Sequence, residues 1–170
     1  VIMMELPAES YFEATSDSVK TLVGKGFEGV YISFQRPFAN VQSLFKQQRI
    51  NTNKIFIVDV ATAFAREEHE NHERCVHISP AIDIDELVRA IYTSLDKIKS
   101  KKKFIFIDSL TTISLYKPLS EVLRFSEFLT RIVKNHKVEG VTLIFNVAKD
   151  LAQKRFIKDI ALNVDEVISL

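Results

Sequence analysis

The chain alternates between short apolar runs and longer stretches in which apolar residues return every three or four positions. The runs predict strands, and the wider spacing predicts helices packed on one face. Val1-Ile2-Met3-Met4-Glu5 reads as a first strand, and Leu6-Pro7-Ala8-Glu9 as a turn. From Ser10 to about Val23, the residues Tyr11, Thr15, Val19, Leu22 and Val23 share one helical face. Gly24-Lys25-Gly26 then ends that helix, because glycine accepts the left-handed backbone a helix end needs. Gly29 to Phe34 is a second strand, rich in β-branched and aromatic residues. Pro37 suits the first turn of the next helix, whose inner face carries Val41, Leu44 and Phe45. Lys54 to Asp59 is a third strand that ends in an acid.

A polar loop, Ala65 to Arg74, leads to a short extended piece, Cys75 to Ser79. Asp83-Ile84-Asp85-Glu86 resembles a capping box. Ile84, Leu87, Val88, Ile91, Leu95 and Ile98 follow at helical spacing. A basic run, Lys99 to Lys103, leads into Phe104-Ile105-Phe106-Ile107-Asp108. Four consecutive apolar residues fit a strand buried on both faces, as in a parallel sheet covered by helices. Ser109 to Lys117 is expected to be a loop, and Pro118 opens a helix to about His136. Val141 to Asn146 is a further buried strand, Leu151 to Ile160 a short helix, and Val164 to Leu170 a last strand. Strands that alternate with helices predict an α/β fold, a mainly parallel sheet sandwiched by helices. Nothing marks a linker or a repeat, so residues 1–170 are read as one domain, one that starts within apparent structure, as a piece of a longer protein would.

Composition narrows the function. A hydrophobic fraction of 46% supports a packed core rather than disorder. Lys+Arg 23 against Asp+Glu 22 leaves a charge of +1, which gives no reason to expect a membrane or nucleic-acid surface. One cysteine forbids an internal disulfide and suits a reducing, cytoplasmic compartment. No apolar run approaches the roughly 18 residues of a membrane span, and the apolar start reads as a strand rather than a signal peptide. In parallel sheets, ligands bind beyond the carboxyl ends of the strands. The residues there are Glu5, Gln35, Asp59, Asp108 and Asn146.

In order and spacing, four segments resemble the KaiC/RadA branch of the RecA-like P-loop ATPases. Tyr31-Ile32-Ser33-Phe34 is similar to the strand before the family's catalytic glutamates. Phe106-Ile107-Asp108-Ser109-Leu110 is similar to the Walker B strand, whose Asp helps to hold Mg²⁺. Thr142 to Phe145 resembles the next core strand, and Asn163 to Leu170 the family's last one. The resemblance implies a RecA-like P-loop fold in which strand 141–146 lies between strands 1–5 and 103–108.

Two departures from the family change what it implies. A Walker A loop, G-x-x-x-x-G-K-[ST], should follow the first strand. In that register its glycines are Leu6 and Tyr11, its lysine is Phe12, and its Mg²⁺-binding hydroxyl is Glu13. Without glycine the backbone cannot close around an anion. Glu9 and Glu13 also repel phosphate. A like-charge pair at about 4 Å costs about 4 kcal/mol at an effective dielectric near 20, on the order of a thousandfold in affinity. The family's glutamate pair after the second strand is here Gln35-Arg36, and Gln cannot take a proton from the attacking water. Gly24-Lys25-Gly26 does not replace the lost loop, since a phosphate loop opens a helix and this one precedes a strand.

The expectation is a pseudo-ATPase: no enzyme, no catalytic residue, no cofactor, and the Walker B-like Asp108 left without its task. Its expected partner is a protein, either a second copy or an active RecA/KaiC-like relative. Gln35, Arg36, Lys154 and Arg155 are the interface candidates. Residual nucleotide binding at Asp108 is the alternative. So is nucleic-acid binding through Lys99, Lys101, Lys102, Lys103, Lys134 and Lys137, although a basic run more often ends a helix. Asp59, Asp108 and Lys149 suggest a receiver domain, but its acidic pair after strand one is represented by Glu5 alone. His69, His72, Cys75 and His77 are zinc-type ligands. Their spacing matches no common zinc module, so a solvated loop and an edge strand, with no metal, is the expectation there.

Overall fold

The computed structural model describes residues 1–65, 71–135 and 139–170. Among them, the apolar runs form seven strands: β1 (Ile2–Leu6), β2 (Glu28–Ser33), β3 (Ile55–Asp59), β4 (Cys75–His77), β5 (Lys103–Asp108), β6 (Val141–Ala148) and β7 (Glu166–Ser169). They build one sheet in the order β4-β3-β2-β5-β6-β1-β7, and every neighbouring pair is parallel. β6 lies between β1 and β5, as the resemblance implied. Parallel neighbours need long crossovers, and helices make them. The helices are α1 (Tyr11–Gly24), α2 (Phe38–Gln47), α3 (Ala61–Ala65), α4 (Ile84–Asp96), α5 (Leu110–Ile113), α6 (Leu119–Lys134) and α7 (Lys154–Ala161).

Successive strand residues point to opposite faces, so β5 feeds two cores. Phe104 and Phe106 join Tyr11, Val41 and Phe45 on the side of α1 and α2. Ile105 and Ile107 join Leu87, Ile91, Phe125, Leu129 and Phe156 on the side of α4, α6 and α7. Burying one such side chain stabilises the fold by about 1.5–3 kcal/mol. Gly29 lies opposite Phe104 in the register. A Cβ at Gly29 would meet the Phe104 ring at 2.4 Å, so only glycine lets that ring lie across β2.

The structure corrects several expectations. The predicted loop from Ser109 contains α5, and α3 follows β3 where no helix was predicted. Each is about one turn long, too short to show a period in the sequence. A polar side chain starts each one: Asp59 Oδ1 accepts the Thr62 N–H at 2.9 Å, and Ser109 Oγ accepts the Thr112 N–H at 3.1 Å. The capping box at Asp83 is half present. Asp83 accepts from the Asp85 N–H at 3.0 Å, while Glu86 turns away to the Ser79 N–H and hydroxyl. The expected end of α6 at His136 and the lysine at 137 lie outside the described residues. Among the described residues, no helix is long and apolar enough to cross a membrane.

Candidate functional site

β5 is buried on both faces and delivers Asp108 to its carboxyl end, where the residue is 3% exposed. A charge in such a place needs partners. Two tyrosines provide them. Register pairs Tyr31 with Phe106 and Ser33 with Asp108. Tyr31 is therefore the diagonal neighbour of Asp108 on the same face, within reach of a long side chain. Its hydroxyl donates to Asp108 Oδ2. Tyr11, the first residue of α1, turns inward, and its hydroxyl donates to Asp108 Oδ1 at 2.5 Å. Both carboxylate oxygens are thus held by phenols. The peptide bond that follows, Asp108–Ser109, is cis.

A second layer holds this clasp. One turn along α1, Thr15 Oγ1 donates to the Tyr11 carbonyl at 2.8 Å and accepts from Asn146 Nδ2 at 2.9 Å. Asn146 comes from β6 and is wholly buried. The Arg36 guanidinium lies 4.6 Å over the Phe12 ring. Burial pushes the Asp108 carboxyl up from its ordinary range, and the bonds from Tyr11 and Tyr31, then Arg36 and Asn146, pull it back down. Burial first, and the Asp108 charge second, push both tyrosine hydroxyls well up. The phenols therefore keep their protons and act as donors.

The remaining candidates divide. Leu6 is buried at the end of β1, Phe12 is half-buried, and Glu13 is exposed. Gln35 is exposed and donates to Ser109 Oγ at 3.3 Å. Lys154 and Arg155 are exposed at the start of α7. Arg36, the remaining interface candidate, is half-buried on Phe12, and its charge lowers the Asp108 carboxyl. The basic run through Lys103 enters β5 at its amino end, opposite Asp108, where Lys103 Nζ donates to the Leu95 carbonyl at 3.3 Å.

The histidine and cysteine run also divides. His69 lies outside the described residues. His72 Nδ1 accepts the Arg74 N–H at 3.1 Å, and its ring lies 4.7 Å from that of Phe38. Cys75 and His77 come together with Asp59, which the spacing of the run did not include. His77 Nε2 is 3.4 Å from Cys75 Sγ, and His77 Nδ1 is 3.4 Å from Asp59 Oδ2. Asp59 itself is 1% exposed. Its Oδ2 accepts the Phe38 N–H at 2.8 Å and the Thr62 hydroxyl at 2.6 Å. Burial, with the Asp59 charge, pushes the Cys75 thiol up to about 12.

Tyr31, Thr15 and the pairing of Asp59 with His77 are the contributors that sequence reading did not place. One signal was present for Tyr31: a tyrosine inside a strand buried on both faces needs a partner for its hydroxyl.

A seven-stranded parallel sheet with an acid closing its central strand gives this chain a KaiC/RecA-like α/β fold. Two solved structures carry the likeness. The KaiC-like protein PH0186 of the archaeon Pyrococcus horikoshii is 16% identical, with a TM-score of 0.65 over 99% of this chain and 69% of that one. The uncharacterized protein PH0321 of Pyrococcus horikoshii, solved in complex with an unknown peptide, is 12% identical, with a TM-score of 0.71 over 99% of this chain and 75% of that one. At these identities the likeness is one of fold. No family model matches the chain, and no curated protein matches it.

Proposed function

We propose that the chain is a non-catalytic KaiC/RecA-like domain, a protein-interaction or regulatory module that keeps the ATPase shape without the reaction. The observation that carries this reading is the clasp on Asp108. A Walker B-type acid turns its oxygens toward the Mg²⁺ site, and here two phenol side chains occupy that side and donate to both oxygens. One of those phenols belongs to Tyr11, at a place where the P-loop pattern has glycine. The loop before it offers no lysine, and Gln35 offers no base. Catalysis requires phosphate binding, metal binding and water activation together, and each lacks its residue.

Melting of nucleotide-stripped protein with and without Mg²⁺-ATP tests the first half of the proposal. A ligand present at 100 times its Kd adds about 2.7 kcal/mol, on the order of 5–10 °C for a chain of this size. The expected result at millimolar Mg²⁺-ATP is no shift. A shift of several degrees overturns it. Sedimentation of the protein alone and with an active RecA/KaiC-like protein tests the second half. A monomer that leaves the relative's sedimentation unchanged rules out the proposed partners.

A further inference from the structure

The Asp59, Cys75 and His77 group has no part in the function proposed above, and it stands or falls independently of it. Asp59 and His77 end β3 and β4 at the carboxyl edge of the sheet, where parallel sheets bind ligands, and Cys75 opens the three-residue β4. β4 is an edge strand, so one side of the group lies at the rim of the sheet. Cys75 and His77 are two residues apart and share a face. Register sets Cys75 beside Ile57 and His77 beside Asp59.

We propose that Asp59, Cys75 and His77 bind a divalent transition metal of the zinc type, with a fourth position left to water. One donor atom from each residue falls within 4.8 Å of the other two. Thiolate, imidazole and carboxylate are the three ligand classes zinc accepts in tetrahedral sites. With zinc-to-ligand distances near 2.0–2.3 Å, donors on one tetrahedral ion stand roughly 3.3–3.8 Å apart. The 3.4 Å between Cys75 Sγ and His77 Nε2 is at that spacing already; Asp59 Oδ2 lies 3.4 Å from the other ring nitrogen, Nδ1, so a small side-chain turn brings the carboxylate onto the same ion.

Two further features support the site. Ligands hold a metal best when a second layer fixes them. The Phe38 and Thr62 N–H groups and the Thr62 hydroxyl fix the Asp59 carboxylate. Charge supplies the other. A bound dication offsets the buried Asp59 carboxylate and deprotonates the thiol it binds. The soft donor selects against Mg²⁺ and Ca²⁺, which prefer oxygen.

The test is a titration of chelator-treated protein with Co²⁺, following the thiolate-to-cobalt charge-transfer band, with Zn²⁺ as competitor. The expected result is one ion per chain, a band that Zn²⁺ abolishes, and a rise in melting temperature with stoichiometric Zn²⁺. Cys75→Ala should lose the band and the thermal shift while its far-ultraviolet dichroism stays native. His77→Gln, which keeps the thiol, should weaken Zn²⁺ binding at least tenfold. No charge-transfer band in the folded wild type overturns the site. So does a band of undiminished strength and affinity in His77→Gln, since a lone thiol is then the binder.

Discussion

Asp108 and Asp59 end the two strands that flank β2, on the same face and at the same edge of the sheet. Both are almost wholly buried. They differ in what faces them. Asp108 meets two phenolic hydroxyls from residues distant in sequence. Asp59 meets the Phe38 N–H at the start of α2 and the N–H and hydroxyl of Thr62, three residues on, with a thiol and an imidazole beside them. A hydroxyl can donate or accept, whereas a backbone N–H can only donate. The same residue type is therefore one end of a closed clasp in one place, and in the other a fixed anion that starts two helices and faces titratable groups.

Removing both hydroxyls should have the largest effect. The Tyr11→Phe/Tyr31→Phe double variant leaves a buried carboxylate without its strongest donors, a situation worth about 3–5 kcal/mol. Urea unfolding at pH 7 measures it. Little change would show that the clasp does not hold this edge. The loss should also depend on pH. The folded state raises the Asp108 carboxyl above its ordinary value of 3.8. Native protein therefore holds that proton more tightly than unfolded protein, and stability falls as pH rises from 3.8 through the folded value. The phenols oppose this rise, so their removal should cost more at pH 7 than below 3.8. An equal loss at both would contradict a role in holding the charged form.

Amide substitutions separate the two acids on a smaller scale. Asp59→Asn must turn an NH₂ group toward N–H donors on one side, and should cost about 1–3 kcal/mol. Asp108→Asn can have one phenol reverse and accept, and it removes a buried charge. Its stability should stay within about 1 kcal/mol of wild type. If the costs came out in the opposite order, the distinction between hydroxyl and backbone partners would be wrong.

The fold was more legible than the site, for physical reasons. Phe104 to Ile107 announces a buried strand because four apolar residues in a row have no other economical place. The α4 period is just as plain, from Ile84 to Leu95. α3 and α5 were not visible because one turn has no period, although Asp59 and Ser109 carry their caps. The clasp depends on strand order: Tyr31 meets Asp108 only because β2 lies beside β5, and Tyr11 only because α1 packs over them. The spacing of residues 69–77 matched no zinc module, and the partner that Cys75 and His77 meet comes from β3, across the edge of the sheet. Local pattern gives elements, and non-local pairing makes sites.

The place of β1 has a consequence for the order in which the molecule is made. Its neighbours are β6 and β7, both from the last third of the chain. During synthesis β1 emerges before both of its neighbours, residues 141–148 and 166–169. β2, β3, β4 and β5 can pair with one another before then. The apolar Ile2–Leu6 strand therefore waits without its native neighbours while β2 to β5 are made, the kind of surface that chaperones attend. The two tyrosines also belong to different stages: Tyr31 can reach Asp108 early, and Tyr11 closes over it when β1 is finally taken into the sheet.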